Sequence, residues 1–150
     1  MPSSHASAQP SGDHPADHPA GQPADRRPPR RPLTVLVDDT RDFKDGRPAL
    51  TARTSEEALA LLRRLADTPL DDLWLDYDLS LGDTAQPVVD HLVEMAAAGS
   101  PQPVATIRVH SSNIRHGHRI CAELVAAGYP ARRSYAANMW VRVRWQAPPR

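Results

Sequence analysis

The chain has 150 residues, a formal net charge of zero and a single cysteine, Cys121. This length fits one domain with a tail, the zero net charge favours no class of charged partner, and one cysteine excludes an intrachain disulfide or a cysteine-based zinc site. The sequence has no apolar run near the ~20 residues that a membrane span needs and no signal-peptide core. We therefore expect a cytoplasmic protein with no membrane partner.

Residues 1–32 are predicted to be a disordered tail, because they are rich in proline, alanine, histidine and arginine and contain half of the sixteen prolines. The arginine-rich run at 26–32 offers nucleic acid only a weak, salt-sensitive attraction, so nucleic acid is otherwise not an expected partner. The folded domain is predicted to cover residues 33–150. Its oligomeric state is left open.

The folded part begins with a continuous apolar run, which is typical of a strand buried on both faces of a parallel sheet. Strand patterns and helix patterns then alternate along the chain. The predicted strands cover 33–37, 49–52, 72–75, 104–109 and 132–136. The predicted helices cover 56–65, 85–98 and 114–127, and Thr54 with Glu57 forms a capping-box pattern before the first of them.

Alternating strands and helices indicate an α/β fold with right-handed crossovers. We predict a three-layer flavodoxin/receiver-like fold with a mostly parallel sheet, in which the first five strands take the order 2-1-3-4-5. Residues 139–145 alternate apolar and polar side chains, which predicts a C-terminal antiparallel edge strand. A loop at 40–50 takes the place of a helix after the first strand.

Four aspartates follow two of these strands, Asp38 and Asp39 the first strand and Asp76 and Asp78 the third. In the 2-1-3-4-5 order these strands are neighbours, and ligands bind beyond their carboxyl ends at this switch point. Four carboxylates at one edge repel one another unless a cation lies among them. We expect them to bind a divalent metal, with Mg²⁺ as the first choice and Mn²⁺ as the alternative.

The fourth strand ends in a His-Ser-Ser-Asn sequence at the same edge. His110 could act as a general acid or base near neutral pH. Ser111, Ser112 and Asn113 precede the N-terminus of a helix, which favours anions, and Arg41 could clamp a phosphate through two N–H groups. These residues predict a site for a small phosphorylated ligand.

Three motifs, taken in order, resemble a known family: V-D-D-T-R at 37–41, L-D-Y-D-L at 75–79 and V-H-S-S-N at 109–113. The combination resembles the cyclic-phosphate processing receiver-like (cREC) group, which is related in skeleton to response-regulator receiver domains. The resemblance covers roughly residues 33–128 and implies a flavodoxin-like fold and metal-assisted hydrolysis of cyclic phosphates. Two positions depart from the family pattern: Tyr77 stands where D-H-D-L has histidine, and Asn113 is followed by Ile-Arg-His-Gly instead of Pro-x-Gly.

The predicted function is that of a metal-dependent phosphoesterase, a phosphoric ester hydrolase acting on a small cyclic phosphate or a nucleotide-derived phosphate. The predicted metal ligands are Asp38, Asp39, Asp76 and Asp78. The predicted catalytic residues are His110, Asp76 and Asp78. The predicted phosphate-binding residues are Arg41, Ser111, Ser112 and Asn113.

Two alternatives remain open from the residues. One is a non-catalytic receiver-like signalling or interaction module, phosphorylated on Asp76. True receivers, which the chain resembles in skeleton, carry a lysine near the end of strand five, whereas Lys44 in the first loop is the only lysine here; this ranks the alternative below hydrolysis. The other alternative is purely structural, with the aspartates capping turns and helices.

Overall fold

The computed structural model describes residues 28–144 of the chain. The predicted tail up to residue 27 and Trp145 of the predicted last strand lie outside the described residues. The strands are β1 (Thr34–Val37), β2 (Arg41–Phe43), β3 (Leu50–Ala52), β4 (Leu70–Leu75), β5 (Val104–Val109), β6 (Ala131–Arg133) and β7 (Trp140–Arg142). The helices are α1 (Ser55–Arg64), α2 (Gln86–Ala97) and α3 (Ile114–Ala126), with a 3₁₀ turn at Ser80–Gly82.

The main sheet has five parallel strands in the order β3-β1-β4-β5-β6. Counted within this sheet alone, that is the predicted order 2-1-3-4-5, so the receiver-like α/β fold is confirmed. The register aligns the ends of the three central strands, because Val37 pairs with Leu75 and Leu75 pairs with Val109. The residues that follow each of these strands therefore emerge side by side at one edge of the sheet.

One face of the sheet is covered by the helices. Because successive strand side chains point to opposite faces, Val35 and Val37 of β1 and Leu73 and Leu75 of β4 pack into a core shared with buried residues of α1, α2 and α3. Neighbouring helices contact each other, α1 with α2 and α2 with α3. Within residues 28–144, no helix has the length and apolar character needed to cross a membrane.

The opposite face is covered by a two-stranded antiparallel sheet of β2 and β7. Phe43 of β2 and Trp140 of β7 stack with ring centroids 5.1 Å apart, and both contact Trp74 of β4 edge-on. The last strand, β7, is antiparallel to its partner, as predicted. That partner is β2 in the loop after β1, so β7 does not form an edge of the main sheet. The small sheet thus supplies the third layer.

Helix α1 begins at a capping interaction close to the predicted one. The Thr54 hydroxyl accepts a hydrogen bond from the Glu57 N–H at 3.1 Å. The Glu57 carboxylate accepts the Arg53 N–H at 2.7 Å, one residue earlier than the amide used in a standard capping box. Both contacts satisfy backbone donors near the helix start and fix the direction in which the chain leaves β3.

Phe43→Ala tests whether the small sheet is an integral layer. Phe43 is 5% exposed and is part of the buried contact between the two sheets. We expect the free energy of unfolding to fall by about 3–5 kcal/mol, the usual cost of truncating a buried aromatic side chain. Urea unfolding followed by tryptophan fluorescence measures this. Val141→Ala is the matched control, because Val141 lies exposed on the same small sheet; equal stabilities of the two variants would contradict the proposed packing.

Candidate functional site

Three buried polar side chains meet where the central strands end. Asp38 follows β1, Asp76 follows β4 and His110 follows β5, and their exposed fractions are 0%, 7% and 6%. One ligand atom of each lies within 4.8 Å of those of the other two. Backbone pairing continues past the strands, since the Asp76 N–H donates to Val37 and the His110 N–H donates to Leu75. Sheet geometry therefore brings these residues together.

Asp38 is the centre of this cluster. Its Oδ1 accepts the backbone N–H groups of Thr40 and Arg41 at 2.9 and 2.8 Å. Its Oδ2 accepts Nε of Arg41 at 2.8 Å and lies 2.9 Å from Nε2 of His110. Both carboxylate oxygens are thus engaged, and the His110 ring is fixed by the contact.

Arg41 bridges the two buried carboxylates. Its Nε contacts Asp38, and its Nη2 donates to Oδ2 of Asp76 at 2.9 Å. The other oxygen of Asp76 accepts the Tyr77 N–H at 2.8 Å. The sequence predicts Arg41 as a phosphate clamp; the structure places it between the carboxylates and also on the wall of a cavity.

The two carboxyl groups are shifted in opposite directions. Burial pushes the pKa of Asp38 upward, but hydrogen bonds from His110 and the Thr40 amide, together with the Arg41 charge, outweigh it and hold that pKa below its ordinary value. Burial raises the pKa of Asp76, and the negative charge of Asp38 raises it further. Asp38 is therefore the stable anion, and Asp76 gains most from additional positive charge.

Asp39 and Asp78 do not join this cluster. Asp39 accepts a hydrogen bond from the Ser80 hydroxyl at 2.5 Å, and the exposed Asp78 accepts one from Nδ2 of Asn113 at 3.0 Å. Asp39 lies in the bend that follows β1, where the Asp38 carboxylate accepts the N–H groups of Thr40 and Arg41. The structure thus groups two of the four predicted carboxylates, with His110 as the third member.

The residues after His110 have two roles: Asn113 caps a helix, and the two serines line a cavity. Asn113 is the N-cap of α3, and its Oδ1 accepts the His116 N–H at 3.2 Å. Ser111 is buried, and its hydroxyl accepts the Asn113 N–H at 3.1 Å. Ser111 and Ser112 both line the cavity, whereas the side chain of Asn113 is committed to the helix and to Asp78.

A cavity of about 440 Å³ adjoins the cluster. One wall comes from the predicted site, through Arg41, His110, Ser111 and Ser112. The C-terminal wall comes from residues that the sequence reasoning missed: Arg133, Tyr135, Trp140 and Arg142. The sequence signals for them are the arginine pair at 132–133 and the alternating arginines of the predicted last strand, and neither pattern indicates a shared cavity.

Trp140 connects the small sheet to the cluster. Its ring stacks on the His110 ring with centroids 4.5 Å apart, and Cζ of Arg41 lies 5.3 Å from its centroid. The indole therefore restrains both the imidazole and the guanidinium. Because Trp140 is held in turn by Phe43, the third layer of the fold sets the geometry of the site.

Tyr77, which stands at the histidine position of the family pattern, belongs to the core on the helix side of the sheet. Its hydroxyl accepts a hydrogen bond from Nη2 of Arg119 at 3.1 Å, and its ring stacks on His116 with centroids 4.4 Å apart. Its side chain is thus engaged with α3, and it is not among the residues that line the cavity.

The fold and the strand-end cluster define a receiver-like α/β domain. In a comparison with protein-family models, residues 33–126 match the cyclic-phosphate processing receiver domain. The match covers more than half of the chain, so the protein belongs to this family, as the resemblance of the three motifs had implied. The comparison with curated proteins finds no match.

Proposed function

We propose that this receiver-like domain is a metal-dependent phosphoesterase that hydrolyses a small cyclic phosphate. The observation that carries the proposal is the buried cluster of Asp38, Asp76 and His110 beside an arginine-lined cavity. In the reaction, water adds to phosphorus, one ring P–O bond breaks, and the departing oxygen takes a proton to become a hydroxyl. The product is a phosphate monoester.

The residues present fit a divalent cation. Asp38 and Asp76 offer carboxylate oxygens, which Mg²⁺ and Mn²⁺ prefer, and burial together with the Asp38 charge raises the pKa of Asp76 despite its contact with Arg41. The cation would supply positive charge to the phosphoryl oxygens and lower the pKa of a bound water. Asp39 and Asp78 accept hydrogen bonds from Ser80 and Asn113 outside the cluster, and neither is assigned as a metal ligand.

His110 fits the role of general base or acid. Its contact with Asp38 orients the ring, as a carboxylate orients histidine in hydrolytic sites. Its Nδ1 is buried and has no hydrogen-bond partner among the described residues. We propose that His110 carries the proton between the attacking water and the departing oxygen, while Arg41 and Ser111 hold the phosphoryl group from the cavity wall.

Hydrolysis of nucleoside 2′,3′- and 3′,5′-cyclic phosphates, assayed with Mg²⁺, Mn²⁺ or EDTA, tests the proposal. We expect metal-dependent turnover, and Asp76→Asn should reduce it by about 10²-fold or more, because a neutral amide holds the cation poorly. Asp90→Asn is the matched control on an exposed carboxylate. Absence of turnover across the panel, with no thermal shift from either metal, would overturn the proposal.

The alternative of a phosphorylated signalling module remains a second candidate, because Asp76 directly follows a central strand of a receiver-like sheet. Against it, both oxygens of Asp76 are engaged, by the Tyr77 N–H and by Arg41, and its side chain is 9% exposed. If Asp76 is a phosphorylation site, acetyl phosphate or beryllofluoride should change the melting temperature of the wild type and not that of Asp76→Ala. No response in the wild type would remove this candidate.

A further inference from the structure

The C-terminal wall of the cavity carries positive charge that the cluster does not use. Three arginines line the cavity, Arg41, Arg133 and Arg142, and none of the lining residues is an aspartate or glutamate. Arg41 is committed to Asp38 and Asp76. The salt bridges of the described residues include no carboxylate partner for Arg133 or Arg142. The guanidinium charges of Arg133 and Arg142 therefore remain available to an anionic ligand in the cavity.

Arg133 is held in place without being neutralised. It ends β6, and its guanidinium donates to the carbonyls of Val109 and Ser111 at 3.2 and 2.9 Å. A Cβ atom at Gly117 would lie 2.2 Å from Nη1 of Arg133, so this helix position must lack a side chain for the guanidinium to lie there. Carbonyl partners fix the orientation of Arg133 and leave its full positive charge in place.

Arg142 reaches the same cavity from the small sheet. It pairs in register with Arg41 across β2 and β7, so the two arginines enter the cavity from neighbouring strands. Two carboxylates offset the charge of Arg41, whereas a bound anion would offset that of Arg142. Guanidinium groups also hold phosphate through paired N–H donors, which suits a phosphoryl group better than a halide or a simple carboxylate.

The rim of the cavity is apolar and exposed. Tyr135 is 68% exposed and Ile114 is 65% exposed, and both line the cavity. Cζ of Arg133 lies 5.2 Å from the Tyr135 centroid, so the ring sits directly beside the charge. An exposed aromatic ring beside guanidinium groups fits a nucleobase next to a phosphate.

We propose that this wall is a second phosphate subsite, which selects nucleosides carrying a further phosphate besides the one hydrolysed. The inference rests on the proposed phosphoesterase function for the first phosphate. Arg133 and Arg142 bind the second phosphate, and Tyr135 stacks on the base. Arg133, Tyr135 and Arg142 lie beyond residue 126, where the family match ends, so the match itself assigns no role to them.

Binding is measured by titration calorimetry in EDTA, which separates it from turnover. The probes are a nucleoside 2′,3′-cyclic phosphate and the same compound with an added 5′-phosphate. We expect the 5′-phosphorylated probe to bind about tenfold or more tightly to the wild type, and this preference to weaken with rising salt. Arg142→Gln should remove most of the preference without affecting the fold, since Arg142 is exposed.

Arg133→Gln and Gly117→Ala test the partly buried arginine of the subsite. Both should lose the preference, the second because it displaces the Arg133 guanidinium. Arg132→Gln is the matched control, on the exposed neighbouring residue of the same strand, and should keep the preference. Equal binding of the two probes to the wild type, or equal binding by Arg142→Gln and Arg132→Gln, would overturn the inference. A salt-sensitive preference without any metal-dependent turnover would support the subsite and reject the phosphoesterase.

Discussion

Asp38→Asn should lower the free energy of unfolding by about 3–5 kcal/mol, the usual effect of removing one partner from a buried charged network. Asp38 is fully buried and accepts hydrogen bonds from two backbone amides and from Arg41, while also fixing His110. The NH₂ group of asparagine would face N–H groups that now donate to the carboxylate, and two donors cannot form a hydrogen bond with each other. The variant would also leave Arg41 with one carboxylate in place of two.

The same substitution should reduce hydrolysis of a cyclic phosphate by about 10²–10⁴-fold in the fraction that remains folded, because His110 loses the carboxylate that orients it. Urea unfolding gives the stability, and turnover at low temperature, normalised to folded protein, gives the rate. Asp45→Asn serves as the control in the same loop, on an exposed carboxylate paired with Arg47. A variant as stable and as active as this control would show that Asp38 is not the centre of the site.

The main sheet was predictable because each of its elements has a local signal. The run at 104–109 is rich in β-branched residues, which predicts a strand, and β5 has these bounds. The small sheet was not predictable, because β2 consists of Arg41, Asp42 and Phe43, which is too short to show a period of two. Its partner lies about a hundred residues later, and no local pattern specifies such a pairing.

The sequence predicted which strand ends form the site, but not which of the side chains there meet. Parallel sheet geometry explains why Asp38, Asp76 and His110 meet. Sequence position alone did not show that Asp39 and Asp78 diverge, since this depends on side-chain direction at residues beyond the strands. The C-terminal wall was missed because Arg133 and Arg142 reach the cavity only through the packing of β6 and β7, which tertiary structure determines.

Arg41→Met should destabilise the protein by about 3–5 kcal/mol in EDTA, because it leaves two neighbouring buried carboxylates without their shared cation. Methionine keeps much of the volume of the aliphatic part of arginine, so the lost stability reflects the missing charge more than lost packing. The pKa of Asp76 is already raised in the fold by burial and by Asp38, and it should rise further without Arg41. A carboxyl whose pKa is raised in the folded state costs stability when ionised, so the deficit of the variant should shrink as pH falls from neutrality toward that pKa.

A divalent cation should restore the variant more than it stabilises the wild type, because it replaces the charge that Arg41 supplies to Asp38 and Asp76. Thermal unfolding with EDTA, Mg²⁺ or Mn²⁺ at several pH values measures both effects. Arg108→Met is the matched control, since Arg108 forms a comparable 2.8 Å ion pair with the partly exposed Asp72; exposed pairs contribute about 0–1 kcal/mol, and no metal response is expected there. If Arg41→Met and Arg108→Met lost equal stability and responded equally to metal, the two buried carboxylates could not be a cation site balanced by Arg41.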